Sequence, residues 1–125
     1  MKHQKFSVKK RIQSFKFAFK GLRMLVKEEH NFRIHLLATV LAIVFGLLFR
    51  LNRMEWVAII FAIGFVLVTE ILNTVIENLT DFVSPEFNEK IGKIKDVAAS
   101  AVLVAAFVAV ATGCFVFLPK FILLF

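Results

Sequence analysis

Apolar and polar positions change rhythm along this chain, and each rhythm predicts a helix of a different kind. Val8, Ile12, Phe15, Phe19, Leu22 and Val26 recur at i, i+4, i+7 and i+11 spacing. At about 100° per residue they fall within an arc of roughly 80°. Lys9, Lys10, Lys16, Lys20 and Lys27 lie outside that arc, while Phe17 and Met24 break the pattern on its polar side. The spacing predicts an amphipathic helix over residues 7–29, lying in a bilayer interface rather than crossing it.

Beyond it the alternation disappears. Residues 34–51 are almost uniformly apolar, close to the ~17 residues needed to cross a bilayer core. Arg50, Asn52 and Arg53 end that run, and Trp56 opens a second one over 56–76, where an interfacial aromatic belongs. Residues 78–96 form a polar stretch containing Pro85, Lys90, Gly92, Lys93 and Lys95. A third span over 97–118 is expected to stop at Pro119, which cannot donate a helix hydrogen bond. On it Ala101, Ala105, Ala109 and Gly113 place a small residue at every fourth position, a ladder that lets another helix approach closely. A general abundance of alanine in membrane helices is the plainer account of the same ladder. Three spans do not easily surround a polar site, which favours a homo-oligomer. The fold expected is an all-α membrane protein, residues 1–125 forming one domain with a surface helix and three transmembrane helices; no repeat or low-complexity segment interrupts it.

Composition agrees with a membrane solvent. Of 125 residues, 59% are hydrophobic, too many for a soluble domain of this size to cover with polar surface. The mean hydropathy is +0.80. The net charge of +7 allows nucleic acid, anionic lipid or an acidic substrate as partner, and its distribution decides. Ten of the 16 Lys/Arg precede position 34, as in a juxtamembrane cytoplasmic segment, and no base-reading motif accompanies them, so no nucleic-acid partner is expected. With the N-terminus inside, residues 1–33 and 78–96 hold 13 Lys/Arg, and only Arg50, Arg53 and Lys120 lie opposite. The positive-inside rule therefore places the N-terminus in the cytoplasm. The first apolar run is too late and too long for a cleavable signal peptide. Cys114 stands alone and reads as a small apolar helix residue, excluding an intrachain disulfide and thiolate metal sites.

The second span carries the chemistry. It ends in E-I-L-N-T-V-I-E-N-L-T-D at 70–81, where Glu70, Asn73, Glu77 and Asp81 share a helical arc of roughly 80°, with Thr74 beside them. A carboxylate at the centre of a membrane helix costs about 2.5–3.5 kcal/mol, less near an interface. A solvated helix end accounts for Asp81 as readily as a functional role does. It does not account for Glu70, which lies two turns further into the apolar run. Paired carboxylates at a wet interface suit a hard cation such as Mg²⁺, which commonly arrives with substrate phosphates. Glu70, the least solvated, suits a general base for an alcohol. Glu28 and Glu29 close the surface helix ahead of H-N-F-R-I-H at 30–35, and K-I-K-D at 93–96 precedes the third span. Lys95 could neutralise phosphate charge and Asp96 orient it, although a positive flank with a helix cap explains the same four residues. His3, His30 and His35 lack ligand spacing and read as interfacial side chains. P-loop, dinucleotide and protein-kinase motifs are absent. From the residues alone, phosphoryl chemistry and a proton-coupled transporter with a Glu70/Glu77 relay both stay open.

The motifs E-I-L-N-T-V-I-E-N-L-T-D and K-I-K-D-V-A-A-S-A-V, with F-K-G-L-R upstream and E-x-N-F-R-I-H, resemble the prokaryotic diacylglycerol kinase family, which includes the undecaprenol kinases. The resemblance runs over about residues 10–119. It implies a homotrimer in the bacterial inner membrane, with active sites shared between protomers at the cytoplasmic interface, that moves the γ-phosphoryl group of Mg-ATP to a lipid alcohol. It further implies that Glu70 is the catalytic base and touches the alcohol, and that Glu29 and Glu77 hold Mg²⁺ with the ATP phosphates while Asn73 supports them. Lys10, Phe17, Glu86, Phe87, Asn88, Lys95 and Asp96 would line the nucleotide site, and Ser14, Arg23, Asn31, Arg33 and Ala99 would contact lipid. The chain departs from the family pattern at position 10, where arginine is common and Lys10 is followed here by Arg11. Phe17 also lacks a hydroxyl that some relatives carry. The F-L-P-K ending and P-E-F-N loop resemble the undecaprenol kinase branch more than the other.

Overall fold

The structure is a computed structural model that describes residues 5–125; His3 lies outside them. Among the described residues four helices follow one another: α1 (Val8–Glu28), α2 (His30–Leu48), α3 (Arg53–Val83) and α4 (Glu89–Leu123). Helix α1 opens where Ser7 Oγ accepts the Lys10 N–H at 3.4 Å, and none of its residues is buried. Its apolar arc is left for the bilayer interface, as its spacing predicts.

One residue turns the chain into the membrane. Glu29 takes extended angles (φ −111°, ψ 111°), ending α1 while its N–H still bonds Leu25 O at 2.9 Å. Helix α2 begins at once, so the first spanning helix starts at His30, ahead of the expected 34.

At the far end of α2 the turn is built by backbone chemistry. Arg50 adopts φ 54°, and the N–H groups of Arg50 and Leu51 bond the carbonyls of Leu47 and Gly46 at 3.3 and 3.1 Å. That pair of bonds closes a Schellman motif and satisfies carbonyls the helix end would leave open. Asn52 then caps α3 reciprocally with Glu55, both bonds measuring 2.9 Å. Gly46 is buried where a Cβ would stand 2.6 Å from the Trp56 ring and 3.1 Å from Leu51 Cδ1. Gly46→Ala should therefore destabilise the bundle by about 1–3 kcal/mol, read as a lower thermal midpoint in detergent. An unchanged midpoint would mean the indole has room to move.

Helix α3 is the centre of the bundle and packs on both α2 and α4, most extensively on α4. Its 31 residues run beyond the expected span of 56–76, because nothing before Pro85 interrupts the helical hydrogen bonds. The stripe from Glu70 to Asp81 is thus helical to its end. After a short link, Asn88 Oδ1 accepts the Lys90 N–H at 2.9 Å and starts α4. That helix begins well ahead of residue 97 and passes through Pro119 to Leu123, correcting the expected stop. The proline removes one backbone donor but leaves the following turn intact, and Lys120 anchors that turn to Glu55 at 3.0 Å.

The core gathers at this end. Leu51, Ile59 and Val116 are buried with Ala42, Trp56, Ala58, Ile63 and Phe117 around them. The rings of Phe49 and Phe117 meet edge to face with centroids 6.0 Å apart. Of the small-residue ladder, Ala105 is fully buried and Ala109 and Gly113 line an open concavity shared with α2 and α3, whereas Ala101 is exposed. A Cβ added at Gly113 would meet nothing within 4 Å, so no helix of this chain approaches the ladder closely there. Helices α2, α3 and α4 are each long and apolar enough to cross a membrane, and little of their surface is covered within the chain. This is a multi-pass membrane protein.

Candidate active site

Helix periodicity and the bend at Glu29 bring the acidic residues together at the opposite end from the core. On α3 the stripe buries progressively: Glu70 is 3% exposed, Asn73 6%, Glu77 half-buried and Asp81 open. Asn73 Nδ2 donates to Glu77 Oε1 at 3.1 Å, one turn along the same face. Asn73 Oδ1 and Thr74 Oγ1 are buried without a hydrogen-bond partner. A buried polar atom without a partner is costly, so both mark places where a ligand atom would be welcome. From α1, Glu29 comes close enough for its charge to act on Glu70, as does Glu77.

Beside this cluster an apolar groove of about 490 Å³ opens between α1 and α3. Ala18, Gly21, Leu22 and Leu25 line it from α1 and Ile71 and Val75 from α3, with Glu28, Glu29, Thr74 and Asn78 as its polar members. A site with an apolar wall and a carboxylate end suits a molecule with a hydrocarbon tail and a polar head.

A second, more polar concavity of about 290 Å³ lies past the end of α3. It is formed by Asp81, the link residues Ser84, Pro85, Glu86, Phe87 and Asn88, and Lys95 from the first turns of α4. Lys95 Nζ binds Asp81 Oδ1 directly, so these two residues, 14 positions apart, clasp α3 to α4. Asp81 is therefore a partner for Lys95 rather than a bare solvated helix end.

The other expected residues are not gathered in. Lys10, Ser14, Phe17 and Arg23 are exposed along α1, and Ser14 Oγ donates only to Lys10 O at 3.0 Å. Asn31 is exposed, and Arg33 bonds His30 Nδ1 at 2.8 Å. Asp96 and Ala99 are exposed on α4. Two site features escape the sequence reading. His35 stands with Nε2 3.6 Å from Glu70 Oε2, an approach set by the crossing of α2 and α3 that no local motif announces. Thr74 was visible beside the stripe, but its burial was not.

Three apolar spanning helices and an interfacial carboxylate cluster define a small integral-membrane protein with its polar site at one end of the bundle. Residues 16–117 match the family described as prokaryotic diacylglycerol kinase. The chain belongs to that family. It is 34% identical over 108 residues to the undecaprenol kinase of Bacillus subtilis, covering 86% of this chain and 88% of that protein. It is 35% identical over 103 residues to the diacylglycerol kinase of Escherichia coli K12, covering 82% and 84%. Against the diacylglycerol kinase of Synechocystis it is 34% identical over 107 residues, covering 85% of this chain and 61% of that one.

Proposed function

We propose that this protein is a lipid kinase that transfers the γ-phosphoryl group of ATP to the hydroxyl of a membrane lipid alcohol, diacylglycerol or undecaprenol. The observation that carries the reading is Glu70, 3% exposed at the head of the carboxylate stripe, on the helix whose Ile71 and Thr74 line the apolar groove under α1. The lipid tail stays in the groove with its hydroxyl toward the stripe. Glu70 takes the proton from that hydroxyl, and the freed oxygen attacks the γ-phosphorus in line with the departing ADP. Lys95, half-buried beside the concavity of residues 84–88, meets nucleotide phosphate, and Asp81 sets its position.

Mg²⁺ would be held by protein and ATP phosphates together, since among the described residues no group of three acidic, histidine or cysteine side chains forms a cation site by itself. Glu29, Glu77 and the unpartnered Asn73 Oδ1 offer oxygen donors only, and two carboxylates with substrate phosphates are enough for this ion. When bound there, Mg²⁺ would supply charge compensation for the phosphates. Replacing Glu29 or Glu77 with alanine is expected to raise the Mg²⁺ concentration needed for half-maximal turnover, or to remove turnover. Unchanged Mg²⁺ titrations in both variants would sink the assignment.

The basic residues of α1 and of the 84–96 region face the cytoplasm in this reading, with ATP arriving from that side. A homotrimer supplies walls that one bundle lacks, since most of each spanning helix is uncovered within the chain. The direct test is transfer of label from γ-labelled ATP to diacylglycerol and undecaprenol, offered side by side to the purified protein. Product with neither lipid, alongside proton-coupled transport in vesicles, would favour the relay reading of Glu70 and Glu77.

A further inference from the structure

We infer that His35 is a positioning residue that holds the Glu70 carboxylate in the orientation from which it acts as base. The inference rests on the lipid-kinase reading. Its observation is separate, lying in the crossing of α2 and α3.

The Glu70 side chain is 4% exposed, and a buried carboxylate needs compensation. Among the described residues, Glu77 from its own helix, Glu29 from the end of α1 and His35 from the first turns of α2 act on its charge. Two of the three are acidic and repel it. Of these three, His35 is the group of opposite potential charge, with Nε2 3.6 Å from Oε2. That separation is just beyond hydrogen-bond length and within ion-pair range.

The histidine is itself set by its surroundings. It is 22% exposed and lines an open concavity of about 250 Å³ to which all three spans contribute. Its backbone carbonyl accepts Thr39 Oγ1 at 2.8 Å, and Thr39 lines the same concavity. On one side the ring meets the buried carboxylate, and on the other it meets space.

A carboxylate held through one oxygen presents the other in a defined direction. This matters because a displacement of about 1 Å of a catalytic group can lower a rate by ~10²-fold. Imidazole suits the task better than a fixed cation. It donates an N–H while neutral, so it can orient the carboxylate without locking it into a permanent ion pair.

Two readouts test the inference on the full-length protein in detergent. The first is the ¹⁵N signal of the His35 ring. Glu70→Gln should move it, whereas Glu55→Gln at the other end of the bundle should not. The second is steady-state kinetics. His35→Leu should lower kcat by roughly 10–100-fold while KM for ATP and the thermal midpoint stay in place. His35→Gln, which keeps an N–H donor at similar reach, should recover most of the loss. A His35 ring signal indifferent to Glu70→Gln would overturn the inference, as would His35→Gln falling as far as His35→Leu. Wild-type protein that phosphorylates no lipid alcohol, with a ring signal still answering to Glu70→Gln, would remove the kinase reading and leave the His35–Glu70 contact standing.

Discussion

Glu70→Gln is expected to remove lipid phosphorylation almost completely while leaving a folded protein that still binds nucleotide. The substitution keeps the size and planarity of the side chain and takes away only its capacity to accept a proton. Positioned general bases contribute ~10²–10⁴-fold, so turnover should fall by at least that lower figure. Stability should not follow. Glu70 is 3% exposed, and an uncharged amide in a membrane helix is easier to bury than a carboxylate. Binding should persist as well, because Lys95, the 84–88 link and Glu77 are untouched. The measurement is single-turnover transfer beside a nucleotide-binding isotherm on the same preparation. A variant that keeps more than about a tenth of wild-type turnover could not have lost its base.

Ala105→Leu is expected to abolish activity by another route. Ala105 is 0% exposed, in the stretch of α4 that packs along α3. A leucine adds three carbons where there is no space. Overpacking of this kind typically costs about 1–3 kcal/mol, and it would push α4 away from α3. The clasp between Asp81 and Lys95 joins the same two helices nearer the site, so their separation misplaces Lys95. Loss of turnover should therefore come with a lowered thermal midpoint, unlike the loss in Glu70→Gln. Wild-type stability and turnover in Ala105→Leu would show that the α3–α4 contact is not fixed at this residue.

The features legible in the sequence are those set by period and by neighbours on one helix. The amphipathic arc of α1 and the burial gradient from Glu70 to Asp81 both follow from spacing. The reciprocal cap of Asn52 and Glu55 is likewise local, being written in N-R-M-E. Contacts between helices were not legible. Asp81 with Lys95, His35 with Glu70 and Glu55 with Lys120 join residues far apart in sequence, and pairing across a bundle depends on register and rotation that one helix does not encode. Helix ends were misjudged where a single signal was weighed alone. Polarity after residue 77 did not end α3 without a backbone breaker, and Pro119 removed too little hydrogen bonding to end α4. The small-residue ladder had no address in the sequence, and in the structure Ala109 and Gly113 line a concavity shared with α2 and α3.

The unbroken course of α3 makes it a rigid spacer between the two faces of the membrane. At ~1.5 Å per residue its 31 residues extend about 46 Å, against a hydrocarbon core of ~30 Å. Its start is moored at one face by the Asn52–Glu55 cap, the bond to Lys120 and the indole of Trp56. Glu70 therefore stands at a set height of about 26 Å from that mooring. A bilayer that thins or thickens must tilt this spacer or bury its ends differently. The depth at which the buried carboxylate meets a lipid hydroxyl is then a property the surrounding membrane shares with the chain.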